Sequence, residues 1–140
     1  MSGMNGIEPG SGTGYVSGWI SRCGSRVTAI VVSIVQLATA RELAAEHRAD
    51  ITFIEGNAEA TGLPDVSFDF AISEYGASIW CPPDRWLPED WRLLRTGGWL
   101  VFLGNHALSL ICSPLDVSPT EWMMHRPYRG MRGADRTEIE

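Results

Sequence analysis

A carboxylate and three alternating glycines stand close to the start of the chain, in the stretch GIEPGSGTGY. Gly10, Gly12 and Gly14 allow a tight turn and a close approach of a ligand to the backbone. The spacing departs from both common phosphate motifs, because a tyrosine takes the place of the third dinucleotide-type glycine and the chain has no lysine for a P-loop. With Glu8 two residues before the first glycine, the loop favours a ligand that brings a cationic amine.

Strand and helix patterns alternate behind this loop. Four segments are rich in β-branched and other apolar residues, as buried strands are: 26–32, 50–56, 68–73 and 98–105. After the first of them, Ser33 is placed to cap a helix that runs to about His47. The alternation predicts a doubly wound, Rossmann-like α/β fold with a mostly parallel sheet, extending from about residue 6 to 105.

Two helices carry more detailed expectations. The helix after Ser33 is expected to turn its apolar face inward, with Val35, Ala38, Leu43 and Ala45 on that face. A later helix, within PPDRWLPEDWRLLRTGG, must begin at Pro88 or be kinked there, because proline has no N–H to donate. Arg95 in the last turn and Gly97 as a left-handed cap predict its end.

Ligands of doubly wound sheets bind beyond the carboxyl ends of the strands. Five loops meet at that edge: 8–14, 31–33, 56–59, 73–78 and 104–106. His106, in the last loop, is the candidate general base because imidazole titrates near neutrality, although a solvated loop histidine is the simpler interpretation. Glu74 and Tyr75 follow the fourth strand, where they either contact a ligand or form an ordinary polar loop.

Three motifs, in this order, resemble those of the class I S-adenosylmethionine-dependent methyltransferases, particularly their small-molecule, type 11-like group. Glu8 with its glycines is similar to the family's acidic GxGxG loop, GNAEATGLPDVSFDFAIS to its adenine loop and fourth strand, and RLLRTGGWLVF to its last parallel strand with the preceding helix. The resemblance implies a strand order of 3-2-1-4-5, S-adenosyl-L-methionine as cofactor, methyl transfer to a small-molecule acceptor, and no metal. It assigns cofactor binding to Glu8, Gly10, Gly12, Gly14, Val31, Asn57, Ala58, Ser73 and Glu74.

Two of these positions depart from the family's pattern. The resemblance places a ribose-binding carboxylate at the end of the second strand, where this chain has Val31. Losing hydrogen bonds to such a charged group costs about 1.5–3 kcal/mol, or roughly tenfold to over a hundredfold in affinity. Asn57 stands where an aspartate commonly contacts the adenine amine, and its side-chain carbonyl still accepts that bond.

Both ends of the chain are shorter than the corresponding parts of the family's pattern. MSGMNGI encodes a weakly apolar first strand, and few residues follow 106 to form the family's antiparallel strand pair. We therefore expect a cofactor-binding domain over 1–106 and a C-terminal extension over 107–140, with 126–140 disordered. A last parallel strand at the sheet edge would expose apolar surface, which homo-oligomerisation would cover, and Met123, Met124 and Tyr128 are placed to cover either this edge or a substrate.

Four of the six tryptophans lie near the fourth and fifth strands: Trp80, Trp86, Trp91 and Trp99. Indole side chains next to buried strands pack in cores more often than they form substrate platforms. We therefore expect these four in the core.

Composition excludes several function classes. The 140 residues fit one domain, and the net charge of −6 argues against nucleic acid and anionic membranes as partners. The three cysteines are far apart and odd in number, so they indicate neither a disulfide framework nor a metal site, and a cytoplasmic location is expected. No apolar run is long enough to span a bilayer.

Three functions stay open at this point. The first is a methyltransferase with weakened cofactor affinity. The second is a non-catalytic methyltransferase remnant or half-domain that acts through assembly. The third is a nicotinamide oxidoreductase, which the tyrosine in the glycine loop and the missing ribose acid disfavour.

Overall fold

The computed structural model describes residues 1–114, 118–125 and 127. It divides into two units, Met1–Gly104 and Asn105–Glu140, so the predicted domain boundary after residue 106 lies close to the division. The segment predicted to be disordered, 126–140, lies outside the described residues except for Pro127. Tyr128 belongs to this segment.

The first unit is built on a five-stranded parallel sheet. Its strands are β1 (Asn5–Pro9), β2 (Arg26–Val31), β3 (Ile51–Glu55), β4 (Phe68–Glu74) and β5 (Leu94–Leu103). Their order is β3-β2-β1-β4-β5, which confirms the predicted Rossmann-like fold and its strand order. Within the described residues, no antiparallel strand joins this sheet.

Helices connect the strands. The first unit contains α1 (Tyr15–Arg22), α2 (Ile34–His47), α3 (Ala77–Trp80) and α4 (Pro83–Leu93), and the second contains α5 (Ala107–Ile111). As predicted, Ser33 caps α2, since its Oγ accepts a hydrogen bond from the backbone N–H of Gln36 at 3.4 Å. The sequence patterns did not indicate the short helices α3 and α5.

The weakly encoded first strand forms at the centre of the sheet. Its residues pair with both β2 and β4, and the backbone N–H of Asn5 donates to the Asp69 carboxylate at 2.7 Å. Gly6 leaves room for the ring of Phe70, because a Cβ at Gly6 would lie only 2.3 Å from that ring. Phe70 therefore supplies the apolar volume that the first strand lacks.

The sheet is packed on both faces. On one face, Ile20 of α1 packs with Val27 and Phe70, and on the other, Leu93 of α4 packs with Ile7. These two clusters fix the sheet between its helices. None of the helices in the described part of the chain is long and apolar enough to cross a membrane.

The predicted apolar face of α2 is wrong. Its expected members, Val35, Ala38, Leu43 and Ala45, are exposed, whereas Leu37 and Ala40 are buried. The helix carries alanine or another apolar residue on most of its circumference, so the pattern does not single out one face. The direction in which the chain leaves β2 decides which face is buried.

The predicted end of the later helix is also wrong. The helix α4 runs through Pro88 and ends at Leu93, so Arg95 and Gly97 belong to β5. The register places Phe68 opposite Leu94 but Phe70 opposite Trp99, and left-handed Gly97 lies in the resulting bulge. A Gly-Gly pair serves a strand bulge as well as a helix cap.

The strand β5 and the tryptophans are less buried than predicted. Apart from its half-buried Leu100, residues 99–103 of β5 are exposed. Trp86 lies in the core as expected, but Trp80 and Trp91 are exposed, and Trp99 is partly exposed while stacking on Phe70 with ring centroids 4.9 Å apart. Among the described residues, no further strand pairs with β5.

Candidate functional site

A cavity of about 540 Å³ lies beyond the carboxyl ends of the strands. Four of the five predicted edge loops contribute to it: those after β1, β2, β3 and β4. Its size falls in the range typical of small-molecule and cofactor sites. All of its described lining residues belong to the first unit.

Seven of the nine predicted cofactor residues line this cavity. They are Glu8, Gly10, Gly12, Val31, Asn57, Ala58 and Glu74. Gly14 is instead the N-cap residue of α1 and lies against Phe53, in a separate cavity between α1 and α2. Ser73 is fully buried and fixes the backbone, since its hydroxyl donates to the Pro9 carbonyl at 3.1 Å and accepts from the Ser78 N–H at 3.1 Å.

The glycine loop packs backbone against backbone with the loop after β4. Gly10 has a φ of 75°, and a Cβ there would lie 2.4 Å from the Ala77 nitrogen. A Cβ at Gly76 would lie 2.3 Å from the Gly10 carbonyl oxygen. Each position therefore requires glycine, and their contact brings the ends of β1 and β4 together. In the sequence, Gly76 is indicated only as part of an edge loop, because its role depends on a contact with a residue distant in sequence.

Glu8 is a buried carboxylate in the floor of the site. Only 3% of it is exposed, and its Oε2 accepts hydrogen bonds from the backbone N–H of Ser17 at 2.7 Å and from the Ser17 hydroxyl. Burial raises the pKa of Glu8 to about 7, the Ser17 hydrogen bonds oppose this shift, and the charge of Glu74 adds to it. A cation bound beside Glu8 would favour its ionised form.

The charge of the cavity is negative. Three carboxylate side chains line it, those of Glu8, Glu59 and Glu74, and no basic side chain is among its described lining residues. Arg85 approaches Glu59 at 3.6 Å from an exposed position. The cavity therefore favours a cationic ligand over a phosphate-bearing one.

Several lining residues were not named as binding residues from the sequence, although Ser11 and Glu59 lie in predicted edge loops. Ser11, in the glycine loop, has a buried hydroxyl without a hydrogen-bond partner among the described residues. Gln36, Glu59, Trp80 and Cys81 also line the cavity. Only their closeness to strand ends could have indicated them, because serine, glutamine and cysteine at such positions are common in loops without function. Tyr75, one of the two predicted residues after the fourth strand, does line the cavity, and its φ of 48° is rare for a residue other than glycine.

Asn57 lines the cavity at the end of β3. Its Oδ1 accepts a hydrogen bond from the backbone N–H of Glu59 at 2.9 Å. This bond orients the side chain and leaves the carbonyl one further acceptor position. The amide keeps an acceptor for a ligand, and its contact with the adenine stays a prediction.

His106 belongs to the second unit. Its Nδ1 accepts a hydrogen bond from the backbone N–H of Leu108 at 3.1 Å and caps α5. In the same unit, Met123 and Met124 are exposed, and His125 lies 3.0 Å from a carboxylate oxygen of Glu121. Capping is a sufficient structural reason for a histidine at 106, so its assignment as a general base stays a prediction.

Residues 7–102 match the sequence profile of a family described as a methyltransferase domain. The chain belongs to this methyltransferase family. The match covers β1 to β5 and includes the residues that line the cavity. The family resemblance inferred from the three ordered motifs is thereby confirmed.

Curated methyltransferases are similar to this chain over much of its length. It is 36% identical over 102 residues to malonyl-[acyl-carrier protein] O-methyltransferase of Pectobacterium atrosepticum, an alignment that covers 72% of this chain and 38% of the relative. It is 32% identical over 119 residues to the chloroplastic 2-methyl-6-phytyl-1,4-hydroquinone methyltransferase 2 of Oryza sativa subsp. japonica, covering 84% of this chain and 30% of that relative. The chain thus spans about a third of the length of these relatives.

Solved structures share the same fold. An S-adenosylmethionine-dependent methyltransferase from Mesorhizobium loti superposes with a TM-score of 0.70 at 27% identity, covering 79% of this chain and 50% of the other. The [4+2]-cyclase SpnF superposes with a TM-score of 0.68 at 31% identity, covering 72% of this chain and 38% of that one. A methyltransferase-like fold can therefore belong to an enzyme named for a different reaction.

Proposed function

We propose that this methyltransferase domain binds S-adenosyl-L-methionine and transfers its methyl group to a small-molecule acceptor. The observation that carries the proposal is the acidic cavity at the glycine loop, with three carboxylates and no basic residue among its described lining residues. S-adenosyl-L-methionine is cationic at its sulfonium and its amine, so it suits this charge. The pyrophosphate of a nicotinamide cofactor does not.

The residues present fit this cofactor. Gly10 and Gly12 let it approach the loop backbone, the orphaned Ser11 hydroxyl offers a hydrogen bond, and ionised Glu8 is placed for the amine. Ala58 and the Asn57 amide are the residues for the adenine, and Glu74 is a further carboxylate in the same cavity.

When bound, the cofactor would supply a methyl group that the acceptor's nucleophile attacks in line, with the sulfur leaving as the neutral thioether of S-adenosylhomocysteine. The chain contributes proximity and orientation, which are the main sources of rate in such a transfer. A base is needed only for a weakly acidic acceptor, and His106 stays the proposed candidate. The comparisons support this function and lend no support to a non-catalytic remnant.

We also propose a class of methyl acceptor, the partners and the location of the protein. Relatives are named for malonyl-[acyl-carrier protein] and for 2-methyl-6-phytyl-1,4-hydroquinone. We propose a small-molecule acceptor here, with Tyr75 and Trp80 as aromatic contacts. A cytoplasmic setting agrees with three free cysteines, and the net charge of −6 disfavours nucleic acid or a membrane surface as partner. We also propose that the chain self-associates through the edge of β5.

Isothermal calorimetry with S-adenosylmethionine tests the function. Saturable binding is expected, weakened roughly tenfold to over a hundredfold in Glu8→Gln, which removes the charge while keeping an oxygen for Ser17. Glu8→Ala should weaken it as well, and Val31→Asp should tighten it. Glu42→Gln, an exposed carboxylate change on α2, is the control and should leave affinity unchanged. Absence of heat at millimolar cofactor would contradict the proposal.

A further inference from the structure

The end of β2 presents apolar side chains to the cavity. Val31 and Val32 both line it, and only 3% of Val31 is exposed. In nucleotide-binding sheets of this kind, a carboxylate about 20 residues after the glycine loop accepts hydrogen bonds from the ribose. Val31 lies at that distance from Gly10 and has no acceptor to offer, so the ribose needs another partner.

Gln36 is the polar side chain nearest in sequence to this apolar surface that also lines the cavity. It lies in the first turn of α2, and only Val32 and Ser33 separate that helix from β2. The hydrogen bond from its N–H to the Ser33 hydroxyl holds the backbone in place. Gln36 therefore stands at the same side of the cavity as Val31.

The side chain of Gln36 is also available. It is exposed, and its amide makes no hydrogen bond to the described residues. Of the other polar side chains that line the cavity, the proposed function already assigns Asn57 to the adenine and Glu8 to the amine. An amide both donates and accepts, and it extends further than aspartate, which suits a position one turn along the helix.

We propose that Gln36 hydrogen-bonds the ribose hydroxyls of the cofactor and takes the place of the carboxylate that Val31 lacks. This inference rests on the proposed function, since it assumes that a nucleoside-bearing cofactor occupies the cavity. It assigns a binding role to a side chain that the glycine-loop motif does not include. Because the amide is neutral, its hydrogen bonds contribute a smaller factor to affinity than those of a carboxylate.

The test pairs a protein change with a ligand change in calorimetric titrations of the full chain. The ligands are S-adenosylhomocysteine and its analogue without the ribose 2′- and 3′-hydroxyls. The proteins are the unmodified chain, Gln36→Ala, Gln36→Glu and Val35→Ala, the last as a matched control because Val35 is exposed on α2 and does not line the cavity. Gln36 is exposed, so its replacement should not affect folding, which circular dichroism checks.

We expect the unmodified chain to bind the full ligand about three- to tenfold more tightly than the analogue. Gln36→Ala should lose this preference and bind both ligands alike, whereas Gln36→Glu and Val35→Ala should keep it. An unchanged preference in Gln36→Ala would overturn the assignment to Gln36 while leaving the proposed function intact. No binding of either ligand by the unmodified chain would overturn both.

Discussion

At the scale of single residues, the most unusual group outside the cavity is Asp90 on α4. It is fully buried, neither carboxylate oxygen has a hydrogen-bond partner among the described residues, and the indole N–H of Trp86, one turn earlier, is likewise buried without one. Burial raises the pKa of Asp90 to about 7 from an ordinary 3.8, and the charge of Glu89 adds to the shift. The folded protein therefore holds a proton that the unfolded chain releases at lower pH.

The sign of the pH effect follows from this difference. The free energy of unfolding that protonated Asp90 contributes is fully present below pH 3.8 and is lost as pH rises through about 7. At 1.4 kcal/mol per pKa unit, this loss amounts to at most roughly 4 kcal/mol. Glu8 has the same sign, because its pKa is also raised to about 7. Urea unfolding between pH 5 and pH 8 should show a smaller loss of stability in Asp90→Asn than in the unmodified chain. Equal losses in the two proteins would refute the assignment, and Asp84→Asn, an exposed change on the same helix, is the control.

At the scale of elements, an ionic network ties α4 to the loop between β3 and β4. The Glu89 carboxylate accepts hydrogen bonds from the Thr61 backbone N–H at 2.8 Å, from the Thr61 hydroxyl at 2.6 Å and from Arg92 Nε at 2.9 Å. Arg92 also donates to the Leu63 carbonyl at 2.7 Å and to the Asp65 carboxylate. These bonds lower the pKa of Glu89 to about 2. The same loop begins with the residues that line the cavity at the end of β3, so α4 helps to position them.

Glu89→Gln should therefore lower the free energy of unfolding by about 1–3 kcal/mol at pH 7, because a charge-assisted network is replaced by weaker neutral bonds. The loss should shrink in acid, since the advantage of the ionised Glu89 is present above its unfolded pKa near 4.5 and is lost as pH falls toward 2. Chemical unfolding at pH 7 and pH 3 measures this. Glu42→Gln should change neither value, and equal stability of Glu89→Gln and the unmodified chain at pH 7 would disprove the role of the network.

The elements also show what the sequence can predict. The strands β2 to β4 and the cap at Ser33 were predictable, because buried parallel strands and N-caps depend on local patterns. The end of α4 was not, because Gly97 suits a helix cap and a bulge equally, and only the pairing of Phe70 with Trp99 decides between them. In the site, Glu8 and two glycines of its loop were predictable from a motif, whereas Gly76 and Gln36 depend on which loops meet in three dimensions.

At the scale of the whole molecule, the proposed self-association concerns the edge of β5. Among the described residues β5 pairs only with β4, and Val101, Phe102 and Leu103 are at least half exposed. No charged residue lies between 98 and 103. A long, neutral and apolar edge strand is a template for pairing with another strand, and a second copy of β5 meets it without a charge mismatch.

Sedimentation velocity over a range of concentrations tests this self-association. We expect a concentration-dependent dimer, and Val101→Lys should raise its dissociation constant roughly tenfold or more, because pairing would bring charges together and bury them. Val35→Lys, the same change at an exposed valine on α2, should leave the dimer intact. A strictly monomeric species at every concentration would refute pairing through β5. Loss of the dimer in both lysine variants would instead show that net charge, rather than the strand edge, controls the association.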